Sequence, residues 1–158
     1  FVQVVALAGF VVLVTAAAAL GSLATVPELR PWYDSLRKPA WTPPNWVFGP
    51  AWSTLYMLMA VSAWRVWRRA DASDRARGAA LAFWGLQLAL NVAWSWLFFG
   101  LRSPALGLID ILLLWIAIAA TLASFWRRTT AAALLLAPYL AWVTFAAALN
   151  SAIWWLNA

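Results

Sequence analysis

The chain has 158 residues, 66% hydrophobic and 10% charged, with a mean hydropathy of +0.80 and a net charge of +6. Charge this sparse does not suit a soluble domain. The absence of cysteine and histidine excludes disulfides, thiol chemistry, zinc and iron–sulfur sites and His-ligated haem, so no metal ligand set is expected.

A helix needs ~20 apolar residues to cross the hydrocarbon of a bilayer. Residues 1–27, 39–64, 78–101 and 129–158 carry no charge, and 103–126 hold only Asp110. The predicted fold is therefore an all-α membrane protein: one domain, 1–158, with five spans at about 1–24, 46–68, 79–100, 104–126 and 131–156. The first span has neither a basic n-region nor a clear cleavage site, so a retained helix is expected rather than a signal peptide. Phe1 is not expected to be a native start.

Pro27 and Pro31 are expected to stop the first helix, and Pro43–Pro44 to give an extended approach to the second. Between them lies a Trp- and Pro-rich loop, 25–45, whose sequence cannot be apolar helix and which is expected to act as a lid. Lys38, the only lysine, falls in this loop, which excludes a retinal Schiff base inside a bundle. The run Arg68, Arg69, Asp71, Asp74, Arg75, Arg77 reads as a solvated turn. Gly100, Arg102 and Pro104 form a tight turn into the fourth helix, and Arg127–Arg128 close it.

Five spans put the termini on opposite sides. The side bearing loops two and four, called X, carries Arg65, Arg68, Arg69, Arg75, Arg77, Arg127 and Arg128. The opposite side, Y, carries Arg30, Arg37, Lys38 and Arg102. The excess places X in the cytoplasm, and the positive charge reads as membrane anchoring rather than as a nucleic-acid surface. Trp64, Trp67, Trp126, Trp154 and Trp155, near span ends, suit an interfacial aromatic belt.

Polar groups within spans are expected to face the bundle interior, because lipid cannot satisfy them. Gln87, Asn91 and Trp94 share one face of the third helix, opposite a small-residue stripe of Gly85, Ala89 and Ala93 that suits packing within the chain or a dimer. Trp142, Ala146 and Asn150 share a face of the fifth helix. With a rise of ~1.5 Å per residue, Trp52, Asp110 and Asn150 lie ~9 Å from their Y ends and Asn91 ~14 Å. Interhelical hydrogen bonding would account for Asn91, Gln87 and Asn150 singly, and the helix dipole for Asp110. Their common depth instead suggests a pocket open toward Y beneath the lid. Lined by aromatics, with Tyr33, Asn91, Asp110 and Asn150 as orienting groups, it would suit a large flat apolar ligand such as a tetrapyrrole or sterol. Stacking on Trp needs no metal ligation, so a free porphyrin fits better than ligated haem.

The segment WYDSLRKPAWTPPNWVFGPAW followed by Ser53, Thr54, Leu55 and Tyr56, together with QLALNVAWSWLFFG, LGLIDILLLW and PYLAWVTFAAALN, resembles the TspO/MBR family (tryptophan-rich sensory protein, translocator protein) across nearly the whole chain. That resemblance implies a five-helix bundle, often a homodimer, binding porphyrins, sterols and benzodiazepine-type ligands with no required cofactor. It implies ligand contacts at Tyr33, Trp41, Phe48, Gly49, Trp52, Asn91, Trp94, Leu106, Ile109, Leu113, Ala146 and Leu149. Trp52 and Trp142 match tryptophans linked to light-dependent porphyrin breakdown, a catalytic role. The tail from Ser151 to Ala158 lacks the Tyr…Arg sterol pattern of animal members, and Thr42 stands where they carry a histidine. The implied location is a bacterial envelope membrane, or the mitochondrial outer membrane in a eukaryote. Three functions follow: a tetrapyrrole sensor that regulates tetrapyrrole or stress metabolism, a light-driven porphyrin-degrading enzyme, and a porphyrin or sterol transporter.

Overall fold

The computed structural model describes residues 2–69 and 75–158, so Asp71 and Asp74 of the expected charged turn lie outside the described residues. Five long helices are present among these residues: α1 (Val2–Glu28), α2 (Asn45–Arg68), α3 (Arg75–Ser95), α4 (Pro104–Trp126) and α5 (Thr130–Asn157). Four are long and apolar enough to cross a membrane. The exception, α2, has the length, but Trp46, Trp52, Trp64 and Trp67, with Pro50, Ser53, Thr54 and Tyr56, dilute its hydropathy. The chain is a multi-pass integral membrane protein.

Helix ends follow from local chemistry. The first helix continues through Pro27 to Glu28, past the predicted stop, because a proline in the last turn forfeits only the bond to the Leu23 carbonyl. Ser103 caps α4, accepting from the Leu106 N–H at 3.2 Å, and Pro104 occupies the first turn, where a missing N–H costs nothing. Arg102, just before this cap, has a φ of 51°. Its guanidinium holds the Glu28 carboxylate at 2.9 and 3.1 Å, tying the third loop to the end of α1. The predicted third span also changes character near its end, where Trp96–Gly100 form a π-helical turn.

Neighbour packing runs in a ring, α1–α2–α5–α4–α3 and back to α1. In the X half the bundle is solid. Val14, Met59, Ala60, Ala63, Ile118, Ala132 and Tyr139 are fully buried, and the alanines let backbones approach closely. Ser62 donates to the Ala132 carbonyl at 2.7 Å, Trp84 Nε1 to Met59 O at 3.2 Å, and Trp64 Nε1 to Gln3 O at 3.0 Å. Branched aliphatic side chains of α1 and α4, including Val12, Leu13, Leu23, Leu112 and Ile116, point outward, as lipid-facing side chains should. A Cβ added at Gly85 would meet nothing within 4 Å among the described residues and Ala89 is exposed, so at these two positions the stripe is not pressed against another helix of the chain.

Candidate functional site

In the Y half the helices part around a cavity of about 430 Å³, within the ~300–1,000 Å³ usual for small-molecule sites. Its walls come from α1, α2, α5, the Y end of α3 and the π-helical turn, and the lid supplies Leu29 and Tyr33. Of the residues singled out from sequence, Tyr33, Phe48, Gly49, Trp52, Asn91, Trp94, Trp142, Ala146, Leu149 and Asn150 meet on this wall.

Aromatic rings dominate it. Trp52 and Trp142 stand edge to face with centroids 6.4 Å apart, Phe48 meets Trp142 at 5.9 Å, and Trp94 stacks on Phe98 at 5.0 Å. Polar groups sit in two tiers. In the deeper one, the Tyr56 hydroxyl donates to Asn91 Oδ1 at 2.5 Å and Asn91 Nδ2 donates to the Tyr139 hydroxyl at 3.1 Å, joining α2, α3 and α5. Nearer the lid, Trp94 Nε1 donates to Asn150 Oδ1 at 3.0 Å, and Asn150 Nδ2 donates to the Pro104 carbonyl at 2.7 Å. Both asparagines therefore brace helices and line the cavity at once. One polar atom of the wall residues is left over: Trp142 Nε1 is buried with no hydrogen-bond partner among the described residues, an unspent donor beside the cavity.

The lid is pinned from several directions. Tyr33 is only 4% exposed and lies against Phe99 and Phe98, with Trp32 edge-on to Phe98 at 5.5 Å. Burial, and after it the neighbouring Asp34 carboxylate, push the Tyr33 hydroxyl above its ordinary value of 10.0. Lys38 Nζ donates to the Tyr33 carbonyl at 2.5 Å and rests 4.6 Å from the Tyr33 ring centroid. The far edge is clamped by α5: the Arg37 N–H donates to Asn157 Oδ1 at 3.0 Å and Asn157 Nδ2 donates to the Arg37 carbonyl at 2.9 Å.

Other residues expected at the site are placed elsewhere. Trp41 is half exposed and packs edge-on against Phe145 at 5.8 Å, in the lid but off the wall. Leu106, Ile109 and Leu113 face outward on α4, Ile109 being 60% exposed. Asp110 is buried behind the wall, and its Oδ2 has no hydrogen-bond partner. The reason is that α4 backs the cavity instead of lining it. Gly107 lets α4 press so close that a Cβ there would fall 2.9 Å from Phe98 and 3.0 Å from Asn150 Oδ1. The fourth wall is α1, through Ala18, Gly21, Ser22 and Thr25. Their spacing of i, i+3, i+4, i+7 puts them on one face, but Ala16, Ala17, Ala19 and Ala24 spread small residues over the other faces too, so this stripe does not stand out in the sequence. The exposed part of the wall begins at the Y ends of α1 and α2 and continues down between them. The exposed wall residues, Ser22 and Val26 on α1 and Asn45, Gly49 and Ser53 on α2, all lie along the α1–α2 seam.

The fold and cavity define a helical membrane protein with a lidded, tryptophan-lined chamber in one leaflet. Residues 10–156 match the TspO/MBR family, and the chain belongs to it. It is 45% identical over 148 residues to protein CrtK of Rhodobacter capsulatus, covering 94% of this chain and 92% of that one. It is 46% identical over 138 residues to the tryptophan-rich protein TspO of Archaeoglobus fulgidus, covering 87% and 88%. With the human translocator protein it shares 42% identity over 123 residues, covering 78% and 73%.

Proposed function

We propose that this protein is a membrane sensor that binds a tetrapyrrole in the cavity beneath the lid. The observation that carries this is the wall itself: Trp52, Trp94, Trp142, Phe48 and Phe98 present ring faces and edges around a largely apolar space, and the Trp142 indole N–H is buried and unpartnered. Flat aromatic ligands gain from stacking on such rings, and a propionate or carbonyl oxygen would satisfy the indole. A sterol would fill the space but has no flat aromatic face to stack on the rings. With X in the cytoplasm, the lid would face the opposite compartment. Titration of intrinsic tryptophan fluorescence with protoporphyrin tests the assignment. Tyr33→Ala and Trp142→Ala should each weaken quenching, and unchanged curves for both would refute the site.

A second function is favoured by one contact. Trp52 and Trp142 are near neighbours in the wall, so a photoexcited porphyrin between them would meet two oxidisable indoles, supporting light-dependent degradation. Trp52→Phe combined with Trp142→Phe should then abolish light-driven porphyrin loss; unaltered loss excludes a catalytic role for the pair.

A further inference from the structure

Three edges of the chamber are closed by specific contacts. Against α3, Trp96 Nε1 donates to the Leu20 carbonyl at 3.1 Å. Gly21 sits so close to Ser95 that an added Cβ would lie 3.1 Å from its hydroxyl, and Ala24 packs over Gly100. Above, the lid is held by the buried Tyr33 and the paired Arg37–Asn157 hydrogen bonds. Behind, α4 presses on Phe98 and Asn150. The remaining edge, between α1 and α2, is different. The residues that these two helices bury in the main core, Val14 and Ala17 on α1 and Leu55, Met59, Ala60, Ala63 and Val66 on α2, all lie on the X side of Ser22 and Ser53. Toward Y, α1 stays with α3, and a slot runs down the seam from Val26 to Ser22.

The side chains along this slot are small. A Cβ on Gly49 would meet nothing within 4 Å, so the seam there is open space. Ser22 lies ~9 Å from the Y end of α1 and Ser53 ~12 Å from that of α2 by helical rise, a depth inside the hydrocarbon. Hydroxyls facing lipid are costly unless satisfied locally; in the slot Ser53 donates to the Gly49 carbonyl at 2.9 Å, and beside it Thr25 donates to the Gly21 carbonyl at 3.0 Å.

We propose that the α1–α2 slot, lined by Ser22, Gly49 and Ser53, is the route by which a bilayer-dissolved apolar ligand reaches the chamber, the lid staying closed. The ligand is recruited from lipid, not from water, which selects molecules that partition into the membrane. A ligand taken up through the lid would instead have to break the Tyr33 packing and the Arg37–Asn157 clamp. The proposal rests on the tetrapyrrole assignment for its natural cargo but not for its test.

Because the chain has no cysteine, one thiol can be placed at will. Ser53→Cys in the slot and Ala40→Cys on the exposed lid surface are each reacted with a bulky disulfide-forming reagent and reconstituted in phosphatidylcholine vesicles loaded with protoporphyrin. The slot label should slow binding about tenfold, reversibly on reduction, with the lid label near the unlabelled rate. Equal effects, no effect, or greater slowing from the lid label would overturn the route. If the unlabelled protein shows no quenching, the tetrapyrrole assignment fails by itself. The slot is then read by a bimane fluorophore on Ala18→Cys in the chamber wall. Nitroxides on lipid acyl chains should quench it more strongly than aqueous iodide, and the reverse order would overturn the proposal.

Discussion

A single methyl group at Gly107 tests the packing that puts α4 behind the chamber. The added Cβ would lie 2.9 Å from Phe98 Cδ2, 3.0 Å from Phe98 Cβ and 3.0 Å from Asn150 Oδ1. Phe98 cannot swing aside easily, since it is 2% exposed and wedged among Trp94, Phe99 and Trp32 at centroid distances of 5.0, 4.9 and 5.5 Å. Overpacking of this kind costs ~1–3 kcal/mol, offset by ~0.8–1.0 kcal/mol from replacing a helical glycine by alanine. Gly85→Ala supplies the control, because a Cβ there meets nothing within 4 Å and only the propensity gain remains. The difference between the two variants isolates the clash, so Gly107→Ala should be ~1–3 kcal/mol less stable than Gly85→Ala. Reversible unfolding in mixed micelles with increasing sodium dodecyl sulfate reads both. If Gly107→Ala proved as stable as Gly85→Ala, α4 would not sit where it is described, and the account of why Asp110 is off the wall would fail.

Other outcomes follow from the same geometry. Asn91→Leu removes the bridge between the Tyr56 and Tyr139 hydroxyls and should destabilise the bundle by ~1–3 kcal/mol in the same unfolding assay, since each such bond contributes up to ~1.7 kcal/mol. Trp142→Phe keeps a ring on the wall but deletes the unpartnered donor; protoporphyrin affinity should fall about two- to twelvefold in fluorescence titration, for a bond of ~0.5–1.5 kcal/mol. Glu28→Gln breaks an ion pair whose arginine is largely exposed, so thermal stability should change by less than ~1 kcal/mol. The Tyr33 hydroxyl is held above its ordinary value of 10.0 by burial and Asp34, so the closed state keeps its proton where an open lid would lose it. Its contribution is full below pH 10.0 and is lost as pH rises through the higher folded value. Tyr33→Phe should flatten that alkaline loss in a stability–pH profile.

The five helices were legible because long uncharged runs have few alternatives in a chain with this composition, and prolines and arginines punctuate them. The aromatic and amide wall was legible for a related reason: Asn91 and Asn150 are costly in lipid and had to face inward, and Trp142 shares a helical face with Asn150 as Trp52 does with Tyr56. What could not be read was the order in which the helices surround the chamber. Equal depth does not reveal which helix is pressed flush and which stands apart, so Asp110 on α4 was grouped with the wall, although Gly107 brings that helix up behind it. The wall formed by α1 was missed because its contribution is the smallness of Ala18, Gly21 and Ser22, and an absence of bulk is quiet in sequence. The π-helical turn at Trp96–Gly100, which presents Phe98 and Phe99 to the lid, adds one residue to a helical turn, and its only sequence marker, Gly100, reads equally well as part of the tight turn into the fourth helix. Leu106, Ile109 and Leu113 came with the family resemblance, and in this chain they face outward.

The most direct measurement is a structure of the protein determined with protoporphyrin bound in a lipid bilayer. The macrocycle should lie between Trp52, Trp94 and Trp142, beneath a closed Tyr33, with an oxygen of the ligand within hydrogen-bonding reach of Trp142 Nε1. A macrocycle resting instead on the outer face of α4 or α5, with the chamber unchanged, would contradict the account.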